Sequence, residues 1–212
     1  GGGQLTEIRL IANDGRTASG IFDNIENIIT TITPYTNDWN IYYTINRLNE
    51  DVRGLPQYNK IIVRPKQTCN DATITVRDYV CIDLDSVRLS GTNATEEQLE
   101  HTKKTANEVY KFLVNAGFNP STVVFSGNGV HIYIRCAMIN NEKNTQLVKR
   151  FLNALAMMFT DEHTDVDRTV FNSGRIMRLP SSYSCKGNTL DTTRPQRLCK
   201  FVKIPVEQKV ND

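Results

Sequence analysis

The stretch "VVFSGNGVHIYIR", residues 123–135, decides how the chain is read. An apolar run, Val123 to Phe125, stops at Ser126-Gly127-Asn128-Gly129, and a second run starts at once and continues to Cys136. Gly-Asn-Gly between two β-branched and aromatic runs is a hairpin signal, because a tight turn needs residues that tolerate positive φ. His131 falls on the second strand, sharing a face with Tyr133 and Arg135, while Val130, Ile132 and Ile134 take the opposite face and suit a core. The histidine is therefore expected on a polar or ligand-facing surface. The two glycines let backbone approach a ligand, Ser126 adds a hydroxyl, and a cationic or donor histidine there suits a phosphate. An ordinary hairpin with a surface histidine has the same pattern.

Working outward, the segments on either side alternate between strand and helix patterns. "GIFDNIENIITTIT", residues 20–33, places Ile21, Ile25, Ile28 and Ile32 at helical spacing, and Pro34 ends it. "NIYYTIN", Asn40 to Asn46, reads as a strand. "KIIVR" is compatible with a short strand or a helix end. "RDYVCIDLD", Arg77 to Asp85, is an apolar strand ending in two spaced acids. Thr95 and Gln98 form a capping box for a helix that carries Leu99, Ala106, Val109, Tyr110 and Leu113 and closes at Asn115-Ala116-Gly117. "NTQLVKRFLNALAMMF" is a second amphipathic helix, and Asp161 to Asp167 reads as a polar loop. Ile176–Leu179 and Leu198–Ile204 read as short strands. Hairpins mixed with helices predict an α+β fold around an antiparallel or mixed sheet.

Composition sets the bounds. With 212 residues the chain is long enough for a sizeable core, and a net charge of +2 permits a nucleic-acid partner without demanding one. No apolar stretch approaches a membrane span, so no membrane partner is expected and a cytoplasmic location is. Five widely spaced cysteines, with no CxxC pair, read as reduced structural thiols rather than a zinc site. Gly1-Gly2-Gly3 reads as a cloning remnant.

Two further stretches carry chemistry. In "CIDLDS" the two carboxylates, Asp83 and Asp85, lie two apart on a strand and point to one face, with Ile82 and Leu84 on the other. Paired carboxylates repel unless a cation neutralises them, and Mg²⁺ takes one or two carboxylates together with phosphate oxygens. A strand end running into a polar loop accounts for the same acids. The second stretch runs from Arg168 to Lys203 and holds eight basic residues against one acid, Asp191. Arginine forks suit phosphate oxygens, and a solvated basic loop is the plainer account. Asp167, just before this block, is placed to complete a three-carboxylate site. His101 and His163 sit in polar surroundings and read as solvated.

Together these stretches resemble the archaeo-eukaryotic primase superfamily, whose marks are an hDhD strand, an S-x-H-type turn and strand, and a later hD element, in that order. Here they read "CIDLDS", "SGNGVHIY" and "DVDRTVFN". The resemblance is nearest to primase-polymerase domains of phages, plasmids and other mobile elements. It extends through "NIYYTIN", "VDRTVFNSGRIMRLP" and "KGN…RPQR", about Asn40 to Phe201. The sequence departs at "RLPSSYSCKGN", where relatives often carry a Gly-Thr pair before the lysine.

The resemblance implies one catalytic domain over residues 1–212, with a family core of about 40–204, built as an RRM-like sheet beside a smaller α/β unit. It implies a DNA primase-polymerase that uses NTPs or dNTPs on single-stranded or primed DNA. Asp83, Asp85 and Asp167 would hold two Mg²⁺ or Mn²⁺ ions. Ser126, Gly129, His131, Arg175, Arg178 and Lys186 would bind the nucleotide, and Arg194, Arg197 and Lys200 the nucleic acid. Asp165 competes with Asp167 for the third carboxylate, and Asp167 matches the family element. The ending "EQKVND" is polar and abrupt, as expected of a domain cut from a longer protein with a helicase domain or subunit as partner; a mobile-element source implies host cytoplasm. Two other classes fit parts of the pattern: a non-catalytic RRM-like binding module, which needs no acid cluster, and a rolling-circle-type endonuclease, for which "HIYI" lacks a second histidine.

Overall fold

In a computed structural model of the chain, residues 3–35, 39–187 and 190–204 are described. The elements in chain order are β1 (Thr6–Ala12), β2 (Thr17–Phe22), α1 (Ile25–Ile32), β3 (Trp39–Thr44), β4 (Arg47–Leu48), β5 (Ile62–Val63), β6 (Ile74–Ser86), α2 (Glu96–Asn115), β7 (Pro120–Phe125), β8 (Gly129–Ile139), α3 (Glu142–Phe159), β9 (Thr164–Val166), β10 (Ile176–Arg178) and β11 (Lys200–Lys203). The predicted hairpin is β7–β8, with Val124 opposite His131 and the Ser126 N–H donating to the Gly129 carbonyl at 3.0 Å.

The strands form two sheets. One runs β10-β3-β1-β2-β5; the other runs β11-β7-β8-β6-β4, with β9 on the far end of the β6 edge that β4 also uses. Every strand pairing within them is antiparallel, so the mixed alternative drops out. The long β6 is the spine of the second sheet because its apolar alternation matches that of β8. Val80, Ile82 and Leu84 share a face with Val130, Ile132 and Ile134, and the amphipathic faces of α2 and α3 cover them. Each fully buried aliphatic side chain there contributes about 1.5–3 kcal/mol. The Thr95–Gln98 capping box fixes where α2 starts. α1 packs against the first sheet through Ile32. Ile45, Cys81, Val124, Tyr133, Met177 and Cys199 fill the layer between the sheets. All five cysteines are free and buried.

Several expectations change. Ile21 and Phe22 belong to β2, not to a helix. Asn24 is extended and caps the amides of Glu26 and Asn27, so α1 can begin only at Ile25. The stretch Asp161–Asp167 is not all loop. Thr164 and Val166 are buried and Asp165 is exposed, an alternation that lets β9 pair with β6. "KIIVR" supplies β5. The β1–β2 hairpin is an addition to the elements expected from sequence. Gly1, Gly2 and the polar ending lie outside the described residues.

Candidate active site

The hairpin register places the site. Asp83 on β6 lies opposite His131 on β8, and Asp85 lies opposite Gly129. Both carboxylates point away from α2 and α3, toward the first sheet, sharing one face as their spacing predicts. There they line a cavity of about 300 Å³. Its other wall comes from the first sheet and from the loop beyond β10: Ile11 of β1, Tyr42 of β3, Arg175 and Arg178 at β10, and Lys186.

The carboxylate wall is electrostatically loaded. Asp83 lines this cavity and is 23% exposed. Burial first, then the neighbouring charges of Asp85 and Asp167, push its carboxyl up to about 8. Asp85 is 43% exposed and ion-paired to Arg88 at 2.8 Å. β9 brings two more aspartates to the same edge: Asp165 lies opposite Asp85, and the Asp167 amide donates to the Asp83 carbonyl at 2.9 Å. Asp167 Oδ2 accepts from Arg175 at 3.3 Å and its Oδ1 from the Thr169 amide at 2.7 Å. Among the described residues, no three His, Cys, Asp or Glu side chains already converge as a metal-holding group. Of the three predicted ligands, Asp83 and Asp85 line the cavity, while Asp167, one residue beyond β9, is not among its lining residues and is turned toward Arg175.

The opposite wall is cationic. Arg178 is only 5% exposed, yet its guanidinium donates to the Asn40 Oδ1 (3.0 Å), the Tyr183 carbonyl (3.1 Å) and the Tyr42 hydroxyl (3.2 Å), all neutral acceptors. It also lies over the Tyr42 ring, 5.0 Å from the centroid. A buried cation held by neutral partners leaves a positive potential that favours an anion. Lys186 lies close by, with its ammonium pKa lowered by burial and by Arg178.

His131 is not on an open surface. It is 4% exposed. Burial, aided by Arg178, pushes its pKa down to about 3, so it is a neutral imidazole rather than the cation that suited a phosphate. Its Nε2 stands 3.5 Å from Asp83 Oδ1 and its Nδ1 3.3 Å from the Tyr133 hydroxyl, so the Asp83 contact is dipolar rather than an ion pair.

The turn glycines have a duty within the chain. A Cβ on Gly129 would lie 2.0 Å from the Leu84 carbonyl oxygen, so this glycine is what lets β8 approach β6. Gly127 has φ +96°. Ser126 does line the cavity. Asn128, which sequence reasoning passes over, pins the turn: its Nδ2 donates to Asn93 Oδ1 (3.0 Å) and Ser184 Oγ (2.9 Å), and its Oδ1 accepts from the Ala94 amide (2.8 Å).

The three residues expected on nucleic acid do not line this cavity. Arg194 donates to the Asn93 carbonyl (2.7 Å) and Gln98 Oε1 (3.1 Å). Arg197 donates to Glu96 Oε1 (2.6 Å) and the Ala94 carbonyl (2.7 Å). Both guanidinium groups therefore brace the start of α2. Lys200 lines a different groove, under α2. His101 and His163 stack on one another, with ring centroids 4.2 Å apart. Ile11 and Tyr42 are site residues that sequence reasoning misses. An Asp-Gly turn (Asp14-Gly15) between the alternating "EIRLIA" and "TASGIF" is the signal that could have found the β1–β2 hairpin and hence Ile11.

No family model and no curated protein matches the sequence. Solved structures do match by shape. One is primase RepB′, 14% identical, TM-score 0.48, with 97% of this chain and 53% of that chain covered. Another is the polymerase domain from Mycobacterium tuberculosis Ligase D in complex with DNA, 13% identical, TM-score 0.51, with 92% and 74% covered. The chain spans about half the length of the first. The second likeness shows that the two chains share an α+β fold over most of this one. No helix among the described residues is long and apolar enough to cross a membrane.

Proposed function

We propose that the protein is a nucleotidyltransferase of primase-polymerase type, joining NTPs or dNTPs to a growing strand on a single-stranded or primed DNA template. The observation that carries this reading is the two-sided cavity, with Asp83 and Asp85 on one wall and the neutral-partnered Arg178 on the other. Such a cavity suits a ligand that is itself polyanionic and brings cations with it, as a nucleoside triphosphate does. The Ligase D neighbour is bound to DNA, which supports a DNA partner.

Asp83, Asp85 and Asp167 would hold Mg²⁺ or Mn²⁺. The fit rests on Asp83 and Asp85 lining one cavity wall, where Asp83's carboxyl is pushed up first by burial and then by Asp85 and Asp167. Held there, such ions would supply Lewis acidity that lowers the pKa of a 3′-hydroxyl and charge that offsets the displaced phosphates. The remaining work falls to this chain. Arg178, Arg175 and Lys186 hold phosphate oxygens and neutralise the charge that develops on the leaving pyrophosphate. Neutral His131 lines the cavity with its Nδ1 at the Tyr133 hydroxyl, and its single remaining Nε2–H serves either Asp83 or an oxygen of the nucleotide. Ser126 adds a hydroxyl at the cavity wall.

The test is primer synthesis and extension with labelled NTPs and dNTPs on single-stranded and primed templates, in Mg²⁺ and in Mn²⁺. Elongated products that vanish in Asp83→Ala are expected. Nicked strands with no elongation would point to an endonuclease, and DNA binding without either to a binding module.

A further inference from the structure

A second cavity, of about 540 Å³, opens on the face of the second sheet that carries α2, away from the carboxylates. Its floor is apolar: Val123 and Phe125 of β7, Ile132 of β8, Ala106 of α2 and Val202 of β11. Val202 is 64% exposed, a large apolar side chain left in solvent. Its rim is cationic, with Lys103, Lys200 and Lys203, and among the described residues no carboxylate lines it. Lys103 pairs with Glu100 outside the groove at 2.6 Å, and Lys203 reaches the Tyr110 hydroxyl. Lys200 has no such partner among the described residues. An apolar slot ringed by lysines is complementary to an apolar side chain flanked by carboxylates.

We infer that this groove is a docking site for a protein segment that inserts one or two large apolar side chains between α2 and β11 while acidic neighbours meet Lys200 and Lys203. The edge strand argues for insertion of side chains rather than strand addition. β11 lies at the end of its sheet, carries two lysines and has its register broken between Phe201 and Lys203, features that blunt an edge against pairing. Apolar anchors in a partly desolvated pocket, with a charged rim, are the usual source of affinity in such contacts. The site stands on the groove's own geometry and holds whether or not the carboxylate cavity transfers nucleotides.

The probe is a short fluorescein-labelled peptide with a Phe-Leu-Phe centre and three glutamates on each side, read by anisotropy. Its controls are the same peptide with lysines for the glutamates and with alanines for the centre. The acidic apolar peptide should bind and both controls should not. Lys200→Glu with Lys203→Glu should weaken it by about tenfold or more, the scale of one or two charge contacts, and should create binding of the lysine-flanked peptide. Val202→Asp should weaken the acidic peptide with no gain for the basic one. Melting curves check that each variant folds. In the unaltered protein, peptide-induced amide shifts should fall on residues around Ala106 and Val202 and leave Asp83 unmoved, a readout that needs no variant. The inference is overturned if neither peptide binds, if both bind alike, or if the amide shifts lie elsewhere. It is equally overturned if an oligo-dT strand or anionic lipid vesicles take the lysines in preference, if Val202→Asp instead dissolves a self-dimer, or if the peptide binds only after removal of residues 205–212.

Discussion

The basic block from Arg168 to Lys203 splits into two populations that look alike in sequence and differ in what surrounds them. Arg178 is buried in the cavity on neutral acceptors. Arg197 reaches a glutamate that is 71% exposed, together with the carbonyl of Ala94, and Arg194 also takes acceptors at the start of α2. The first guanidinium leaves positive potential for a ligand. Arg197 has its charge met by Glu96, while Arg194, also on neutral acceptors, spends its donors at the start of α2 and does not line the cavity. Charge density along a sequence says how many cations there are; the acceptors around each say which remain available.

That contrast can be broken or sharpened by substitution. The largest effect is expected opposite the cationic wall. Asp83→Ala should lower nucleotide incorporation about a thousandfold or more, the scale of several kcal/mol of lost charge stabilisation, with DNA binding intact in a filter assay. Near-normal incorporation would dissolve the pairing of the two walls. The same residue gives a pH test on metal-free protein. Its folded pKa of about 8 lies above the ordinary carboxyl value of 3.8. The folded state therefore keeps a proton the unfolded chain releases, so this group's stabilisation is complete below about pH 4 and is lost as pH rises through about 8. Melting temperature should fall over that window, and both Asp83→Asn and added Mg²⁺ should flatten the fall.

Next comes Arg178→Met, expected to reduce nucleotide use about 10- to 140-fold, the equivalent of one charge-assisted hydrogen bond worth ~1.5–3 kcal/mol. Arg178→Lys should recover part of the loss by keeping the charge. His131→Ala should cost less, about 2- to 12-fold in incorporation, because a neutral imidazole contributes only ~0.5–1.5 kcal/mol. A loss as large as that of Arg178→Met would mean the histidine is charged in the working complex. Smallest of all, Arg197→Ala should leave incorporation and the salt dependence of DNA binding unchanged while lowering stability by about 1 kcal/mol in urea titrations. A shallower salt slope would return Arg197 to the nucleic-acid surface.

The legible parts of the fold are those whose signal is local. The Gly-Asn-Gly hairpin, the Thr95 capping box and the alternation of "CIDLDS" each depend on a few adjacent residues, and each forms as read. Ile21 and Phe22 mislead because isoleucines at helical spacing continue across a strand end that only Asn24 marks. β9 is hidden because its three residues become a strand only beside β6. The carboxylate wall of the cavity can be placed from spacing alone. The state of His131 cannot, since its neutrality comes from burial between sheets and from Arg178, 47 positions away in the chain. The roles of Arg194 and Arg197 depend likewise on a distant loop, near Asn93 and Glu96.

Four of the five buried thiols lie in three different seams of the molecule. Cys81 and Cys199 sit between the sheets, Cys136 under the helices, and Cys69 in the cluster that joins β2 to β6. Burial raises the pKa of each of these four, that of Cys69 and Cys199 to about 12, so none reacts while its seam is closed. A brief pulse of an alkylating reagent under native conditions would therefore clock local breathing seam by seam. A nucleotide clamped between the two walls should slow Cys81 and Cys199 and leave Cys69 unaffected.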